Sequence, residues 1–400
     1  MQAGDALPRS RTPSRLRRLL PWLVMLALVV GAVEAIAVAT YRLVVIPRFG
    51  YLVWNPDIAQ ARAAFAAEPA PADEELVWPA DPTAPPRDRS GAKFNADFPD
   101  PGRACASAYG DSFIWGEELP PADGWIEQLA RRIGCRVANY GVSGYGTDQA
   151  YLRFRKTPGD EAPVVMLGIV PDENLARNVN QYRAFLGWPL QPSFLKGRFI
   201  LDAGGRLAWI PRPRLGPEDV IALHRTPAAV VPHEYVLPDS RNGPVTPWFP
   251  YTLTLARWVL LPAVRDGLRG KPLASDYFRA GHPSGALPLT VALAEAFVLE
   301  AARRGKRALV VILPTAYDFR GQARYGAFAY GPLVAALSAK GIDVIDPGPD
   351  LLAALGGRSY CTLYSLPDAC RGHFGRDGGG LVATVVRDAL IRRGLIRPSP

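Results

Sequence analysis

Histidine is scarce in this sequence. Its 400 residues hold four, His224, His233, His282 and His373, which narrows the choice of a general base working near neutral pH. Cysteine is equally scarce, four residues with no C-x-x-C spacing, which excludes a zinc ribbon. Asp172, Asp318 and Asp346 fall near expected strand ends, but none is spaced with a His or a second acid as a metal pair requires. They read as helix caps and loop contacts, so no metal and no cofactor is called for. Nucleic-acid motifs are missing too. The net charge is +9, yet the basic residues form no stripe, and nucleic acid is not expected as a partner. With 48% apolar and 21% charged residues, the chain is not disordered throughout.

Much of the basic excess precedes one long apolar run. Arg9, Arg11, Arg15, Arg17 and Arg18 against Asp5 supply about four of the nine charges. From Leu19 to Tyr41 the run is long enough to cross a hydrocarbon core of roughly 30 Å. The positive-inside rule leaves residues 1–18 as a cytoplasmic tail, 19–41 as a transmembrane helix and the rest outside. The expected location is therefore the inner membrane, single-pass, with the C-terminal domain periplasmic. A cleaved signal peptide is the rival, with "AVA" at Ala37–Ala39 as its cleavage site. Glu34 is costly in lipid and is read as lying near the outer interface, close to Arg42. In an exported chain the four cysteines fit two disulfides, Cys105 with Cys135 and Cys361 with Cys370, or buried free thiols.

Many of the 40 prolines fall in residues 67–101 and 188–250, which marks those regions as irregular. Residues 42–100, including "QARAAFAAEPAPADEE", read as a stalk with little packed core. Beyond it strands and helices alternate. "ACASAYG" is a strand, "GWIEQLARRIG" a helix stopped by Gly134, and "CRVANYG" a strand. A helix opens on Thr147 as N-cap, and "APVVMLGIV" is a buried strand. The pattern resumes with "PLTVALAEAFVLEAARRGK", "RALVVILP", "GPLVAALSAKG", "IDVIDPG" and a final helix in "DGGGLVATVVRDALIRRGL". Such an order predicts a three-layer α/β/α sandwich with a mostly parallel sheet. It would occupy residues 101–400 and carry a Pro-rich insertion at about 183–285, where "RFILDAGGRLAWIP" is hairpin-like.

In an open parallel sheet, reactive groups gather at the carboxyl ends of strands. Ser112, in "YGDSFIWG", follows the first strand there, at a helix start whose N–H groups favour developing negative charge. A helix-capping serine has the same local sequence. The base must come from the four histidines. Three lie in the insertion, where loop or substrate roles are expected. His373, in "DACRGHFGRDGGG", leads into the last helix at the same sheet edge.

"YGDSFIWG" resembles the first block of the SGNH/GDSL hydrolase superfamily. "NYGVSGYGT", Asn139–Thr147, resembles its second, and "HFGRDGGGLVA" the tail of its last. The lead-in "KFNADFPDPGRACAS" and the apolar anchor resemble bacterial membrane-anchored members. The resemblance covers residues 94–180 and 286–395 and implies Ser112 as nucleophile and His373 as base. It implies an oxyanion hole from the backbone N–H of Ser112, that of Gly144 and an Asn side chain, with Asp111 supporting the turn. Two blocks depart. In "IVPDENLARN", Glu173 stands where the family has Asn, leaving Asn174 one position later to supply the amide, while Glu173 would repel an oxyanion unless turned away. Three residues before His373 stands Cys370 instead of an acid. Asp368 then orients the imidazole if a Cys361–Cys370 bridge reshapes the loop; otherwise a backbone carbonyl does, and the site is a dyad.

The expected function is a membrane-anchored serine esterase acting on acyl esters, with an envelope glycan as a candidate carrier. An O-acyltransferase would use the same residues, and a groove lined by Trp188, Trp209 and Trp248 would favour a carbohydrate acceptor. A non-catalytic envelope binding or scaffold protein is the third reading. Protein partners are not legible.

Overall fold

The computed structural model describes residues 15–67, 71, 73–78, 87–100, 102, 104–188, 194–269 and 274–397. The N-terminal tail including Arg9 and Arg11, and much of the Pro-rich stretch between 68 and 86, lie outside the described residues.

Five strands form one parallel sheet: β1 (Ala104–Tyr109), β2 (Arg136–Asn139), β3 (Val164–Ile169), β6 (Arg307–Ile312) and β7 (Val344–Ile345), in the order β2-β1-β3-β6-β7. Between them in sequence, β4 (Arg198–Leu201) pairs antiparallel with β5 (Leu207–Ile210) as the expected hairpin. Side chains alternate across the sheet, as the two-residue strand period dictates. On one side Val165, Leu167, Ile169, Val310 and Ile312 meet helices Thr147–Arg155, Pro171–Asn178, Ala286–Arg303 and Gly331–Ala339. On the other, Ala106, Ala108, Val164, Met166, Leu309 and Val311 meet helices Trp125–Ile133 and Arg376–Arg392. Burial on both faces explains why β3 and β6 read as continuous apolar runs. The layering is the α/β architecture the sequence predicts. Helix Thr147–Arg155 differs in one detail, since Gly146 and not Thr147 holds the N-cap position.

Two features depart from the expectation. The "stalk" is woven into the domain. Trp54 is buried, donates through its indole N–H to His224 O at 3.2 Å and stacks on the His224 ring. Further along, the N–H of Lys93 donates to Asn139 O at 2.8 Å, and its buried ammonium pairs with Glu127 at 3.4 Å. Alternating small and polar residues with scattered aromatics carry no helix or strand period, so sequence alone could not assign this core. The second departure is the segment before the last helix, read as a loop. It forms a hairpin, β8 (Tyr364–Leu366) and β9 (Arg371–Phe374), beside the Cys361–Cys370 disulfide. Cys105 and Cys135 are also bridged.

The apolar helix begins at Arg15 and runs through Thr40, then continues through a π-helical turn, Tyr41–Val45, to Phe49. Within Leu19–Leu52 an 18-residue window reaches a mean hydropathy of 2.4, and 6% of that window is buried. By length and composition it can serve as a membrane anchor or a signal sequence.

Candidate active site

Strand order reverses between β1 and β3, and both turns at this switch point carry site residues. After β1, Asp111 caps a one-turn helix, Ser112–Trp115, accepting the N–H of Phe113 at 3.0 Å. Ser112 is the first residue of that turn and is buried. Gly116 ends it in the left-handed region, φ 76°. Gly141 shows why no larger residue fits after β2, since a Cβ there would lie 2.5 Å from the N of Trp115.

The hairpin β8–β9 brings His373 over this turn. Ser112 Oγ donates to His373 Nε2 at 2.8 Å, across 261 residues of sequence, and the imidazole packs on Phe113 with ring centroids 4.8 Å apart. The opposite nitrogen, Nδ1, faces Glu118 Oε2 at 3.3 Å, close but not in an aligned hydrogen bond. The same oxygen accepts the backbone N–H of His373 at 3.0 Å and the Ser365 hydroxyl. With a carboxylate at Nδ1, the imidazole proton belongs on that side, leaving the Nε2 lone pair for the serine proton. Burial alone would raise the Glu118 carboxyl. The hydrogen bonds from Ser365 and His373, with the charge of the imidazole, outweigh that effect and hold it below its ordinary value. A second acid, Glu117, accepts from Ser143 Oγ at 2.8 Å and comes within 3.7 Å of Nε2.

Glu118 replaces Asp368 as the carboxylate at the imidazole. Asp368 is exposed in the β8–β9 turn, a position set by the tight hairpin on which Cys370 is bridged to Cys361. The signal for Glu118 was present in "GEE", an acid pair just past the Ser112 turn at the same sheet edge. Local spacing pointed instead to the residues before His373.

Gly144 adopts φ 78°, a conformation that favours glycine, and a Cβ there would lie 2.9 Å from the Trp188 ring. Among the described residues its N–H and that of Ser112 donate to no protein acceptor. Asn174 does not share that freedom. Its amide donates to Asp111 Oδ2 at 3.0 Å and to Tyr145 O at 3.3 Å, while its oxygen accepts the N–H of Val170 at 3.0 Å. Both amide hydrogens are thus engaged in bracing the Asp111 turn, and neither is left for an oxyanion. Arg177 completes the brace, donating to Asp111 at 3.0 Å and Tyr145 O at 3.1 Å, and its other nitrogen pairs with Glu173. That ion pair neutralises the acid expected to repel an oxyanion. Burial raises the Asp111 carboxyl, Arg177 opposes this, and the net direction is upward.

The three tryptophans stand in different surroundings. Trp188 lies by Gly144 with the Arg177 guanidinium 5.6 Å from its ring centroid. Trp209 packs on Phe199, and Trp248 is exposed beside helix Tyr251–Val259. A cavity of about 650 Å³ lined by Leu76, Arg89, Tyr140, Arg153 and Lys156 includes none of Ser112, His373 or Gly144 in its walls.

No protein-family model matches the chain, and no curated protein does. Among solved structures, it is similar to a lipolytic protein of the G-D-S-L family from Desulfitobacterium hafniense, at 12% identity and a TM-score of 0.34, over 71% of this chain and 98% of that one. A G-D-S-L family member from Veillonella parvula matches at 12% identity and the same TM-score of 0.34, over 72% and 98%. Likenesses this distant do not bear on activity, and the case for one rests on the site itself.

Proposed function

We propose that this chain is a membrane-anchored, extracytoplasmic serine esterase acting on O-acyl esters, with Ser112 as nucleophile and His373 as general base. The observation that carries the reading is the Ser112 Oγ to His373 Nε2 hydrogen bond of 2.8 Å, made at a helix start with two unengaged backbone N–H groups nearby. Ser112 Oγ attacks the ester carbonyl carbon as its proton passes to Nε2. The carbonyl oxygen takes the negative charge and is held by the N–H groups of Ser112 and Gly144. Glu118 orients the ring and stabilises the imidazolium that forms. His373 returns the proton to the departing alkoxide, leaving an acyl-serine. A water, deprotonated by the same nitrogen, then releases the acid and regenerates Ser112. Each preorganised donor contributes roughly 3 kcal/mol to the tetrahedral stage.

The acyl carrier is proposed to be a carbohydrate of the cell envelope. The Trp188 ring beside Gly144 supports this, because a partly exposed aromatic at the lip of the oxyanion loop suits the face of a sugar. The same ring favours a second reading in which a sugar hydroxyl, rather than water, accepts the acyl group.

The test is fluorophosphonate labelling and p-nitrophenyl acetate turnover by the full chain in detergent, beside Ser112→Ala and His373→Ala. Labelling and turnover are expected in the wild type and lost in both variants. A folded wild type as inert as Ser112→Ala would overturn the esterase reading in favour of a binding protein. Deacylation of acyl-Ser112 only when an oligosaccharide is added, with the acyl group recovered on a sugar hydroxyl, would favour the transferase.

A further inference from the structure

We infer that the insertion carries a second membrane element: helix Tyr251–Val259 starts in the outer leaflet, docked on the anchor and capped by its Glu34, and rises from there to the membrane surface. This rests on the reading of the apolar helix as an uncleaved anchor.

One face of the helix pair is fastened to the anchor. Trp258, Leu261 and Val264 are buried with Tyr41 and Val45. Tyr41 meets Tyr251, and Phe49 meets Trp258, each with ring centroids 5.0 Å apart. At the start of the first helix Phe249 is exposed by 74% and Leu253 by half; farther along, Val259, Leu260 and Leu268 are exposed too but share the surface with Arg265 and Arg269. Leu43, Val44 and Ile46 of the anchor are exposed as well. Apolar side chains bared beside an apolar span fit hydrocarbon better than water.

The cap argues for the depth. Glu34 accepts the backbone N–H of Tyr251 and, at 3.2 Å, that of Thr252. At 1.5 Å per residue Glu34 stands about 22 Å along the helix from Leu19, within a hydrocarbon core of roughly 30 Å. Phe49, which meets Trp258, stands about 45 Å along it, so the start of the second helix is the part that lies in the core. An acid inside a span is costly, and so is a helix start whose N–H groups meet lipid. Here each satisfies the other. The acid read from sequence as an interface residue beside Arg42 is thus the group that lets a second helix begin below the membrane surface. The parallel bridge between Val53 and Val245 then ties this element to the domain, and with it the height of the Ser112 site above the bilayer.

The experiment places single nitroxide labels on the full chain at Leu253→Cys, Leu28→Cys and Lys340→Cys, reconstituted in phosphatidylethanolamine and phosphatidylglycerol vesicles. Accessibility to oxygen and to a water-soluble nickel complex is read at each. The expected result is oxygen-accessible, nickel-protected labels at Leu28 and Leu253, and the reverse at Lys340. A Leu253 label open to nickel, with Leu28 still protected, overturns the inference and leaves the anchor standing. Nickel access at both overturns the anchor reading as well. Protection of Leu253 from both reagents means that protein, a second copy or another chain, covers the face, and also overturns it. In Glu34→Leu the anchor becomes more apolar, so Leu28 stays protected while Leu253 is expected to become several-fold more open to nickel. A Leu253 label unchanged in that variant overturns the role given to Glu34.

Discussion

Glu118 sits in the left-handed region at φ 68°, a conformation that costs a non-glycine residue about 1 kcal/mol or more. Glycine would relieve that strain but carry no carboxylate for His373. Glu118→Gln is expected to lower kcat/KM on the order of 10²- to 10⁴-fold, by the logic of a triad acid replaced by its amide. Asp368→Asn, an exposed change, should leave activity within about twofold. Because the Glu118 carboxyl is held below its ordinary value, its support of His373 is present in full above about pH 4.3. That support is lost as pH falls through the folded value. The amide variant should accordingly show its deficit across the neutral range, with the acid limb of kcat/KM shifted to lower pH because the imidazolium has lost a stabilising charge. Steady-state kinetics from pH 4 to 9 on both variants decides between the two carboxylates. Ser112, Gly144 and His373 were legible because each is marked by a local turn or cap. Glu118 was not, since its role depends on a hairpin folding back across the chain. Asn174 was legible as a nearby amide, but its engagement with Asp111 is a tertiary fact.

At the scale of elements, the hairpin β8–β9 is a short scaffold for His373. Two strands of three and four residues are marginal alone, and the Cys361–Cys370 disulfide closes the chain beside them. Replacing both cysteines by alanine is expected to cost about 2–3 kcal/mol, the loop-entropy figure for a bridge closing about ten residues. Activity should fall with it as the Ser112–His373 contact loosens, whereas the sheet, which the bridge does not touch, should keep its far-ultraviolet signature. Urea titration with parallel turnover measurements checks this, and unchanged turnover would separate the bridge from the site. The sheet strands were readable from the sequence because burial on both faces leaves an apolar run. The hairpin was not, because its short strands carry no period that a loop lacks.

Across the molecule, the decisive question is whether the insertion is a separate unit or part of the sheet's own core. Lys196, fully buried, pairs with Asp148 at the start of helix Thr147–Arg155 and donates to Gly197 O at 3.1 Å. Burial pushes its ammonium down to about 8 even with Asp148 opposing. Arg183 donates to Gly144 O at 2.8 Å, so the insertion also holds the Gly144 turn, the proposed oxyanion loop, from behind. Phe199 and Phe278 share the cluster of β3 and β6 side chains. Such contacts make the insertion cooperative with the sheet. Lys196→Met strands the Asp148 carboxylate in the interior and is expected to cost about 3–5 kcal/mol. Calorimetry of the full chain should show one transition in the wild type, moved as a whole to lower temperature in the variant. Adding Asp148→Leu should restore part of the loss, because the uncompensated charge is gone. Restoration should be incomplete, since Asp148 also accepts the N–H of Gln149 at 2.8 Å. Two resolved transitions, with only one displaced by Lys196→Met, would instead make the insertion an independent unit. The oxyanion loop would then be free to respond to its movement.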